Sequence, residues 1–310
     1  MKDTKNYDIA ILGAGPAGLT AGLYAGRGGL KAVIVEKMMP GGLVANTERI
    51  DNYPGFPEGI SGYELAQKME QQTKKFGAGI ISAQAETIVP EDKYQLIKLS
   101  DGTTIKSRAL IIATGAFPKT LGVRGEKELL GKGVSYCAIC DGAFFKNQPV
   151  AVLGGGDSAV QEAVYLAGLA SKVTVIHRRN VLRAADSIQK VAFVNDKIVF
   201  AWNKDILAIE GASLVTGVRI MDKQTLKEEV VPVAGAFIYV GYQPSSDLVK
   251  DIVKTDEQGY IITDDRMATS VPGIYACGDV RKKLVRQVST AVGDAATAAI
   301  AAQQYLENLN

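Results

Sequence analysis

Two cysteines lie close together near the middle of the chain, and an acidic residue follows them. Cys137 and Cys140 are separated by two residues, and Asp141 comes directly after the pair. In pairs of this kind the pKa of one thiol is lowered to roughly 7, and exchange with another disulfide passes through a mixed disulfide. We therefore predict a redox-active disulfide, with Asp141 as the group that transfers protons while thiols form. Capping the turn is the competing role for Asp141, and the two roles are compatible.

Zinc binding and triad hydrolysis are competing chemistries, and the residue counts argue against both. The chain contains three cysteines and one histidine. A zinc site on the pair needs two more ligands, and the remaining Cys277 and His177 each lie in a nucleotide-binding strand or at its end. A Ser-His-Asp site would depend on His177 alone. We therefore expect no metal, and we expect Cys277 to be a small buried residue.

The elements that must position the pair repeat one plan twice. An apolar strand at 8–12 leads into a glycine turn and a helix to about residue 28, and a second strand at 32–35 ends in Glu36. The strand at 149–153, its glycine turn, a helix through residue 169 and a strand at 173–176 repeat this order. Glycines let the backbone approach a pyrophosphate, and the helix N-terminus offers free N–H groups. One such turn can merely pack a helix on a strand, but two in register predict two dinucleotide sites.

The residue after the second strand of each unit indicates which nucleotide binds there. It is Glu36 in the first unit and His177 in the second, each 23 positions after the first glycine of its turn. An acid hydrogen-bonds a ribose 2′-hydroxyl, whereas arginines accommodate a 2′-phosphate. Glu36 therefore favours FAD or NAD, while His177 with Arg178, Arg179 and Arg183 favours NADPH. A solvated run of surface arginines is the alternative for the second set.

The strands that follow each glycine unit indicate how the domains are arranged. The second unit is an insertion, because an apolar strand ending in Gly278-Asp279 and an alanine-rich helix return to the first after it. An acid at that strand end supports a flavin in the first unit, although a helix N-cap is its alternative role. We predict an α/β fold with two Rossmann-like dinucleotide-binding domains of three-layer ββα architecture, the second inserted in the first. Residues 1–117 and 246–310 form the FAD domain, and residues 118–245 form the NADPH domain that carries the cysteines.

Charge and hydropathy limit the partners of the protein. Lys and Arg number 35 against 33 Asp and Glu, and hydrophobic residues make up 47% of the 310 positions. Such a balance favours neither nucleic acid nor an anionic membrane surface. No signal peptide or transmembrane pattern is visible, so we expect a cytoplasmic protein.

Taken together, these motifs resemble the low-molecular-weight (bacterial-type) thioredoxin reductases, which are class II pyridine nucleotide-disulfide oxidoreductases, over nearly the whole chain. Besides the glycine turns, the cysteine motif and the arginine cluster, the matching segments are Gly41-Gly42-Leu43, Asn52-Tyr53-Pro54-Gly55, Ala113-Thr114-Gly115, Gly278-Asp279 and Arg286-Gln287.

The resemblance implies a homodimer that passes electrons from NADPH through FAD and the cysteine pair to thioredoxin. It implies that Cys140 faces the flavin while Cys137 attacks the substrate disulfide. The expected FAD residues are Gly13, Gly15, Pro16, Ala17, Gly18, Glu36, Gly41, Gly42, Leu43, Asn52, Thr114, Gly115, Gly278, Asp279, Arg286, Gln287 and Val288. The expected NADPH residues are Gly154, Gly156, Asp157, Ser158, Ala159, His177, Arg178, Arg179 and Arg183.

The inserted domain carries both the cysteines and the NADPH site, and both need the same face of the flavin. The resemblance implies that a domain rotation about segments 116–121 and 243–247 resolves this conflict. Phe144 and Phe145 have two competing roles, an apolar ledge for the partner and core packing. Ile139 stands where the family usually has threonine, and Met38-Met39-Pro40 lengthens the loop after Glu36 relative to some members.

Several alternative functions would use some of the same residues. A reductase of a glutaredoxin-like protein or a peroxiredoxin system would need the same residues. An FAD-dependent dithiol oxidase would not need the arginine cluster, and a ferredoxin reductase would not need the cysteine pair. A nucleotide-sensing module would bind FAD without turnover.

Overall fold

The structure is a computed structural model that describes residues 4–47, 50 and 52–309, with the side chain of Cys140 outside the described part. The helices are α1 Pro16–Arg27, α2 Gly62–Lys75, α3 Ala138–Asp141, α4 Asp157–Ala167, α5 Asp186–Phe193 and α6 Val288–Asn308. Short 3₁₀ turns span Gly42–Asn46, Gly142–Phe145 and Gly278–Val280.

The strands are numbered in chain order through both units of the chain. The first nine strands are β1 Thr4–Leu12, β2 Ala32–Glu36, β3 Gly79–Ser82, β4 Ala85–Pro90, β5 Gln95–Leu99, β6 Thr104–Ile112, β7 Ala116–Pro118, β8 Val134–Ser135 and β9 Pro149–Gly154. The others are β10 Lys172–Ile176, β11 Ile198–Ala201, β12 Lys204–Gly211, β13 Val215–Asp222, β14 Glu228–Pro232, β15 Gly235–Tyr239, β16 Tyr242–Pro244 and β17 Ile274–Ala276.

The first unit comprises Met1–Phe117 and Gln243–Asn310 and is built on one large sheet. Its strand order is β3-β2-β1-β6-β5-β4, and β17 also pairs with β6. β1 runs parallel to both β2 and β6, so the chain leaves β1 toward one side and returns on the other. This reversal creates a switch point at the carboxyl end of β1, where α/β sheets bind their ligands.

Two apolar cores cover the two faces of this sheet. Ile9 and Ile11 of β1 face α1 and α6. Ala10 and Leu12 face the opposite side, where they belong to one core with Ile97 of the antiparallel β5. The alternation follows because successive side chains of a strand point to opposite faces. The unit therefore has a helical layer, a central sheet and an antiparallel layer.

The second unit, Pro118–Tyr242, repeats this plan with different strands. A parallel sheet in the order β11-β10-β9-β15-β8 carries α4 on one face and the antiparallel sheet β12-β13-β14 on the other. The switch point now lies at the end of β9. The predicted α/β class, with two three-layer Rossmann-like domains and the second inserted in the first, is confirmed.

Local sequence explains where α1 and α6 begin. Pro16 occupies the first turn of α1 directly after the cap residue Gly15, a position that tolerates proline because its missing N–H has no partner there. Gln287 and Thr290 form a reciprocal capping box at the start of α6. The alanine-rich helix α6 buries residues such as Ala298 and Ala302 against the sheet, as predicted. Within the described residues, no helix combines the length and apolar character that a bilayer span requires.

Candidate functional site

The first glycine turn brings the backbone of three strands together at the end of β1. Gly13 has a φ of +99°, and a Cβ at this position would lie 2.5 Å from the carbonyl oxygen of Ala113. A Cβ on Gly42 would lie 3.2 Å from the Cα of Gly15. Neither position has room for a side chain, so backbone amides line the switch point. The segment Gly13 to Gly18 and the pair Gly41-Gly42 therefore meet, while the Leu43 side chain is exposed.

Glu36 connects this turn to the loop that follows β2. Its Oε2 accepts a hydrogen bond from the N–H of Ala14 at 2.7 Å, and its Oε1 accepts one from the N–H of Met38 at 2.9 Å. The carboxylate thus lies at the edge of the glycine turn, where a ribose would be placed. Met38 and Met39 are both exposed.

Other predicted FAD residues lie at the start of α6 or directly after β6. The side-chain amide of Asn52 donates to Oε1 of Gln287 at 3.0 Å, although 235 positions separate the two residues. Val288 begins α6 and packs on the same side as Ile50. Thr114 donates its hydroxyl to the carbonyl of Ser245 at 2.6 Å, and Gly115 next to it has a φ of +70°. Thr114 and Gly115 therefore lie directly after β6, one strand away from the glycine turn.

Asp279 and Arg286 each carry a buried polar atom that has no hydrogen-bond partner among the described residues. These atoms are Oδ1 of Asp279 and Nε of Arg286. Burial raises the pKa of Asp279, which Lys283 and Arg286 oppose electrostatically. The guanidinium of Arg286 also lies over the Tyr260 ring, 4.0 Å from its centroid. A buried acceptor and a buried donor fit a ligand rich in hydroxyl and phosphate oxygens, such as the ribityl and pyrophosphate parts of FAD.

An ion cluster behind Asp279 was not predicted from the sequence. Asp294 of α6 accepts hydrogen bonds from Lys283 Nζ at 2.7 Å, Arg281 Nη1 at 3.1 Å and the N–H of Gly278 at 3.1 Å. The side chains of Lys283, Asp294 and Arg281 are only 7, 12 and 14% exposed. In the sequence this cluster was indicated only by Asp294, a charged residue within an alanine-rich helix. The cluster holds the turn that presents Asp279.

The second glycine turn is closed by the histidine that follows β10. A Cβ on Gly155 would lie 2.4 Å from Nδ1 of His177, so only glycine fits over this ring. The carbonyl oxygen of Gly155 accepts the N–H of Arg183 at 2.7 Å. Asp157 begins α4 and accepts the N–H of Ala185 at 2.7 Å. Gly154 and Gly156 flank the contact, and the exposed Ser158 and buried Ala159 follow in the first turn of α4.

The positive charge near this turn comes from arginines and not from His177. Burial lowers the pKa of His177, a backbone hydrogen bond with Val181 opposes the change, and the three nearby arginines lower it further. The imidazole is therefore neutral at pH 7, and it is only 5% exposed. Arg178, Arg179 and Arg183 are exposed, and none forms an ion pair with a described carboxylate. Unpaired arginines beside a glycine turn fit a phosphate group.

The redox segment lies between β8 and the turn Gly142–Phe145. Cys137 is half-buried and disulfide-bonded, whereas the predicted role of the Cys140 side chain falls outside the described part. The N–H of Cys137 donates to Ser135 Oγ at 3.0 Å, and this hydroxyl donates back to the Cys137 carbonyl at 3.1 Å. Asp141 is half-buried and makes no side-chain cap hydrogen bond at the start of the turn, so its competing role as a cap is not seen.

The two phenylalanines after the cysteine motif have different environments. Phe144 is 76% exposed, whereas Phe145 packs edge-on against Phe237 at a centroid distance of 5.4 Å. Phe145 therefore packs in the core, and of the two residues only Phe144 is available to a partner. Cys277 is free and fully buried, as predicted, and burial raises the pKa of its thiol far above the usual range.

Protein families, related sequences and solved structures similar to this chain all indicate the same family. The sequence matches the pyridine nucleotide-disulphide oxidoreductase family over residues 7–295. A thioredoxin reductase of Bacillus subtilis (strain 168) is 48% identical over 310 residues, covering 100% of this chain and 98% of the relative. The Lactococcus lactis thioredoxin reductase structure superposes with a TM-score of 0.88 at 44% identity, covering 97% of this chain and 99% of that one. The T. acidophilum thioredoxin reductase gives 0.86 at 36% identity, covering 99% and 100%. The chain therefore belongs to the pyridine nucleotide-disulphide oxidoreductases, and within them to the thioredoxin reductases.

Proposed function

We propose that the protein reduces oxidised thioredoxin with electrons from NADPH, using FAD and the Cys137–Cys140 pair. The observation that carries this proposal is the disulfide at Cys137, on the same unit as three exposed arginines that form no ion pair with a described carboxylate. The balanced reaction consumes NADPH, one proton and the thioredoxin disulfide, and it releases NADP⁺ and the thioredoxin dithiol. The test is NADPH oxidation with oxidised thioredoxin, compared with NADH and with the Cys140→Ser variant.

The two cofactors are assigned to separate units. FAD would be held in the first unit by Glu36, the glycine turn and Asp279, and NADPH in the second by Arg178 and Arg179 with their neighbours. When bound, the cofactors together supply one electron pair to the enzyme disulfide. The buried polar atoms of the first unit support this assignment, as do the exposed arginines of the second, which have no carboxylate partner within the described part of the chain.

Thiol chemistry at the cysteine pair completes the reaction. The Cys137 thiolate attacks one sulfur of the thioredoxin disulfide, forming a mixed disulfide and releasing one thioredoxin thiolate. Cys140 then attacks the Cys137 sulfur, which releases the second thioredoxin sulfur and restores the enzyme disulfide. Asp141, next to the pair and without a capping bond, donates and accepts the protons that these steps require.

Three further assignments concern the assembly, the location and the motion of the protein. We propose a homodimer, which light scattering of the purified protein tests. We propose a cytoplasmic location, since a dithiol reductant works in a reducing compartment, and fractionation of cells tests it. The domain rotation about segments 116–121 and 243–247 stays a prediction, and a cross-link between the units tests it through turnover.

Phe144→Ser should weaken reduction of thioredoxin without impairing the rest of the enzyme. Phe144 is exposed next to the redox turn, so its loss removes apolar contact area from a docking partner. We expect kcat/KM for thioredoxin to fall about tenfold, corresponding to about 1.4 kcal/mol. Val194→Ser, at an 84% exposed position on the same unit, is the matched control. Unchanged kcat/KM for Phe144→Ser would remove Phe144 from the docking surface.

Asp294→Asn should loosen FAD. Asparagine carries no charge and cannot neutralise Lys283 or Arg281. The turn that presents Asp279 therefore loses its ionic contact with α6. We expect FAD to dissociate about tenfold to a hundredfold more readily, because a hydrogen bond to a charged group contributes about 1.5–3 kcal/mol. Flavin absorbance retained after dilution and filtration measures this. Asp265→Asn, at an exposed position of the same unit, should retain FAD as the parent does. Equal retention in both variants would contradict the role of the cluster.

A further inference from the structure

A buried carboxyl group in the second unit takes no part in the function described so far. Glu126 is only 2% exposed, and it lies shortly after the chain enters this unit at Pro118. Its two oxygens accept three hydrogen bonds, from the N–H of Leu121 at 2.8 Å, the N–H of Gly122 at 2.7 Å and the hydroxyl of Tyr136 at 2.6 Å. Burial of a carboxyl group is tolerated only when such donors satisfy its oxygens.

The turn that carries Glu126 is fixed to the antiparallel sheet of this unit. Arg124 forms a parallel bridge with Ala208 of β12, and the carbonyl of Arg124 accepts the N–H of Ile209 at 2.8 Å. Gly125 has a φ of +87°, and a Cβ there would overlap the carbonyl oxygen of Ile209, so only glycine fits. The side chain of Glu126 therefore extends from a backbone that β12 holds in place.

The third donor, Tyr136, leads directly to the redox disulfide. Tyr136 lies between Ser135, the last residue of β8, and Cys137. Its ring packs, together with Leu121, against the core between the two sheets of this unit. Burial and the hydrogen bond to Glu126 raise the pKa of Tyr136, so the hydroxyl keeps its proton at physiological pH and remains a donor. One side chain thus joins the residue before Cys137 to the turn on β12.

A second tyrosine holds the residue on the other side of Cys137. The hydroxyl of Tyr239, at the end of β15, accepts the N–H of Ala138 at 2.6 Å. Cys137 therefore lies between two anchored neighbours, Tyr136 bound to Glu126 and Ala138 bound to Tyr239. Cys137 is disulfide-bonded in this structure, so these contacts belong to the oxidised form of the redox segment.

We propose that Glu126 is a positioning residue that, through Tyr136, holds Cys137 where its disulfide forms and thereby stabilises the oxidised form of the pair. Once the S–S bond is broken, the redox segment is free to relax, and the hydrogen bond between Tyr136 and Glu126 contributes less. A contact that is stronger in one of two states shifts the equilibrium toward that state. The inference rests on the proposed function only in taking Cys137 and Cys140 as the redox pair.

The test is an anaerobic redox titration of the FAD-loaded protein in mixtures of reduced dithiothreitol and its cyclic disulfide. For each enzyme disulfide reduced, one dithiothreitol is oxidised to its cyclic form, and its two electrons and two protons pass to the two cysteine sulfurs. Acid quenching, alkylation and mass spectrometry of the Cys137 peptide give the fraction of dithiol.

Tyr136→Phe removes only the hydroxyl that binds Glu126, and the ring can keep its packing. This variant should shift the equilibrium about three- to tenfold toward the dithiol, as expected for the partial loss of one hydrogen bond to a carboxylate. A tenfold shift corresponds to a reduction potential about 30 mV less negative.

Glu126→Gln should shift the equilibrium in the same direction, because an amide has one acceptor atom where the carboxylate has two. The double variant with Tyr136→Phe should shift it no further than the larger of the two single variants, since both act on one contact. Glu128→Gln is the matched control. Glu128 is exposed in the same turn, accepts the N–H of Gly125 at 3.1 Å and should titrate as the parent does when substituted.

The proposal is overturned if Tyr136→Phe titrates like the parent, because the hydrogen bond would then be equally strong in both redox forms. A shift toward the disulfide would contradict it as well. An equal shift in Glu128→Gln and Glu126→Gln would indicate packing of the turn alone. Should Glu126→Gln fail to fold, Tyr136→Phe decides. The titration uses neither NADPH nor thioredoxin, so its outcome is independent of whether thioredoxin is the substrate.

Discussion

Cys140→Ser should lower NADPH-dependent reduction of thioredoxin at least about a thousandfold, because a residue that forms a covalent intermediate has no substitute. With serine at this position the enzyme disulfide cannot form, so electrons have no route to the partner. Cys137→Ser should lose turnover to the same extent, since it removes the attacking thiolate. Stopped-flow and steady-state assays separate the steps, because NADPH should still bleach the flavin absorbance in both variants.

Cys277→Ala provides the control for these substitutions. Cys277 is fully buried and its thiol pKa is raised, so it cannot exchange disulfides at neutral pH. This variant should therefore keep the turnover of the parent. Substantial thioredoxin reduction by Cys140→Ser would mean that the electrons bypass the pair, and the assignment of the redox centre would be wrong.

The double variant Arg178→Ala/Arg179→Ala should lose its preference for NADPH. Both guanidinium groups are exposed beside the second glycine turn, and neither has a carboxylate partner among the described residues. Each charge-assisted hydrogen bond to a phosphate contributes about 1.5–3 kcal/mol, so kcat/KM for NADPH should fall at least about a hundredfold. The value for NADH should hardly change, because that coenzyme has no 2′-phosphate to contact.

A general loss of positive charge must be distinguished from loss of a specific site. Lys190→Ala removes an exposed cation from α5 of the same unit and should leave the coenzyme preference intact. Because His177 is neutral and buried, it would contribute to a phosphate site only by packing beneath the turn. Equal losses with NADPH and NADH in the double variant would contradict the assignment of the arginines to the 2′-phosphate.

The parts of the fold that the sequence predicted are those with strong local signals. Apolar strands followed by glycine turns identified β1 and β9, the apolar strands after the next helices identified β2 and β10, and the alanine-rich segment identified α6. The helices α2 and α5 were not predicted. For α2 a signal was present, since the Ser61 hydroxyl caps the helix by accepting the N–H of Glu64 at 3.1 Å. Amphipathic surface helices of this kind carry weaker patterns than buried strands.

The site residues that escaped prediction depend on contacts between distant segments. Tyr239 looked like the apolar end of a strand, and only the pairing of β15 with β8 brings its hydroxyl to Ala138. In the sequence Asp294 is only a polar residue within a helical segment. The packing of α6 is what places it against the turn that begins at Gly278. Glu36 was identified because its position after a strand is fixed by the motif itself, and the structure adds its bond to Ala14.

The most direct test of the account is to count thiols after anaerobic reduction with NADPH. The enzyme is mixed with excess NADPH, trapped with a first alkylating reagent, unfolded, reduced and labelled with a second reagent, and its peptides are analysed by mass spectrometry. We predict that Cys137 and Cys140 both carry the first label after NADPH and the second label without it, while Cys277 is indifferent to NADPH. If the flavin is bleached but Cys137 and Cys140 still carry only the second label, electrons do not reach the pair, and the proposed route to thioredoxin is wrong.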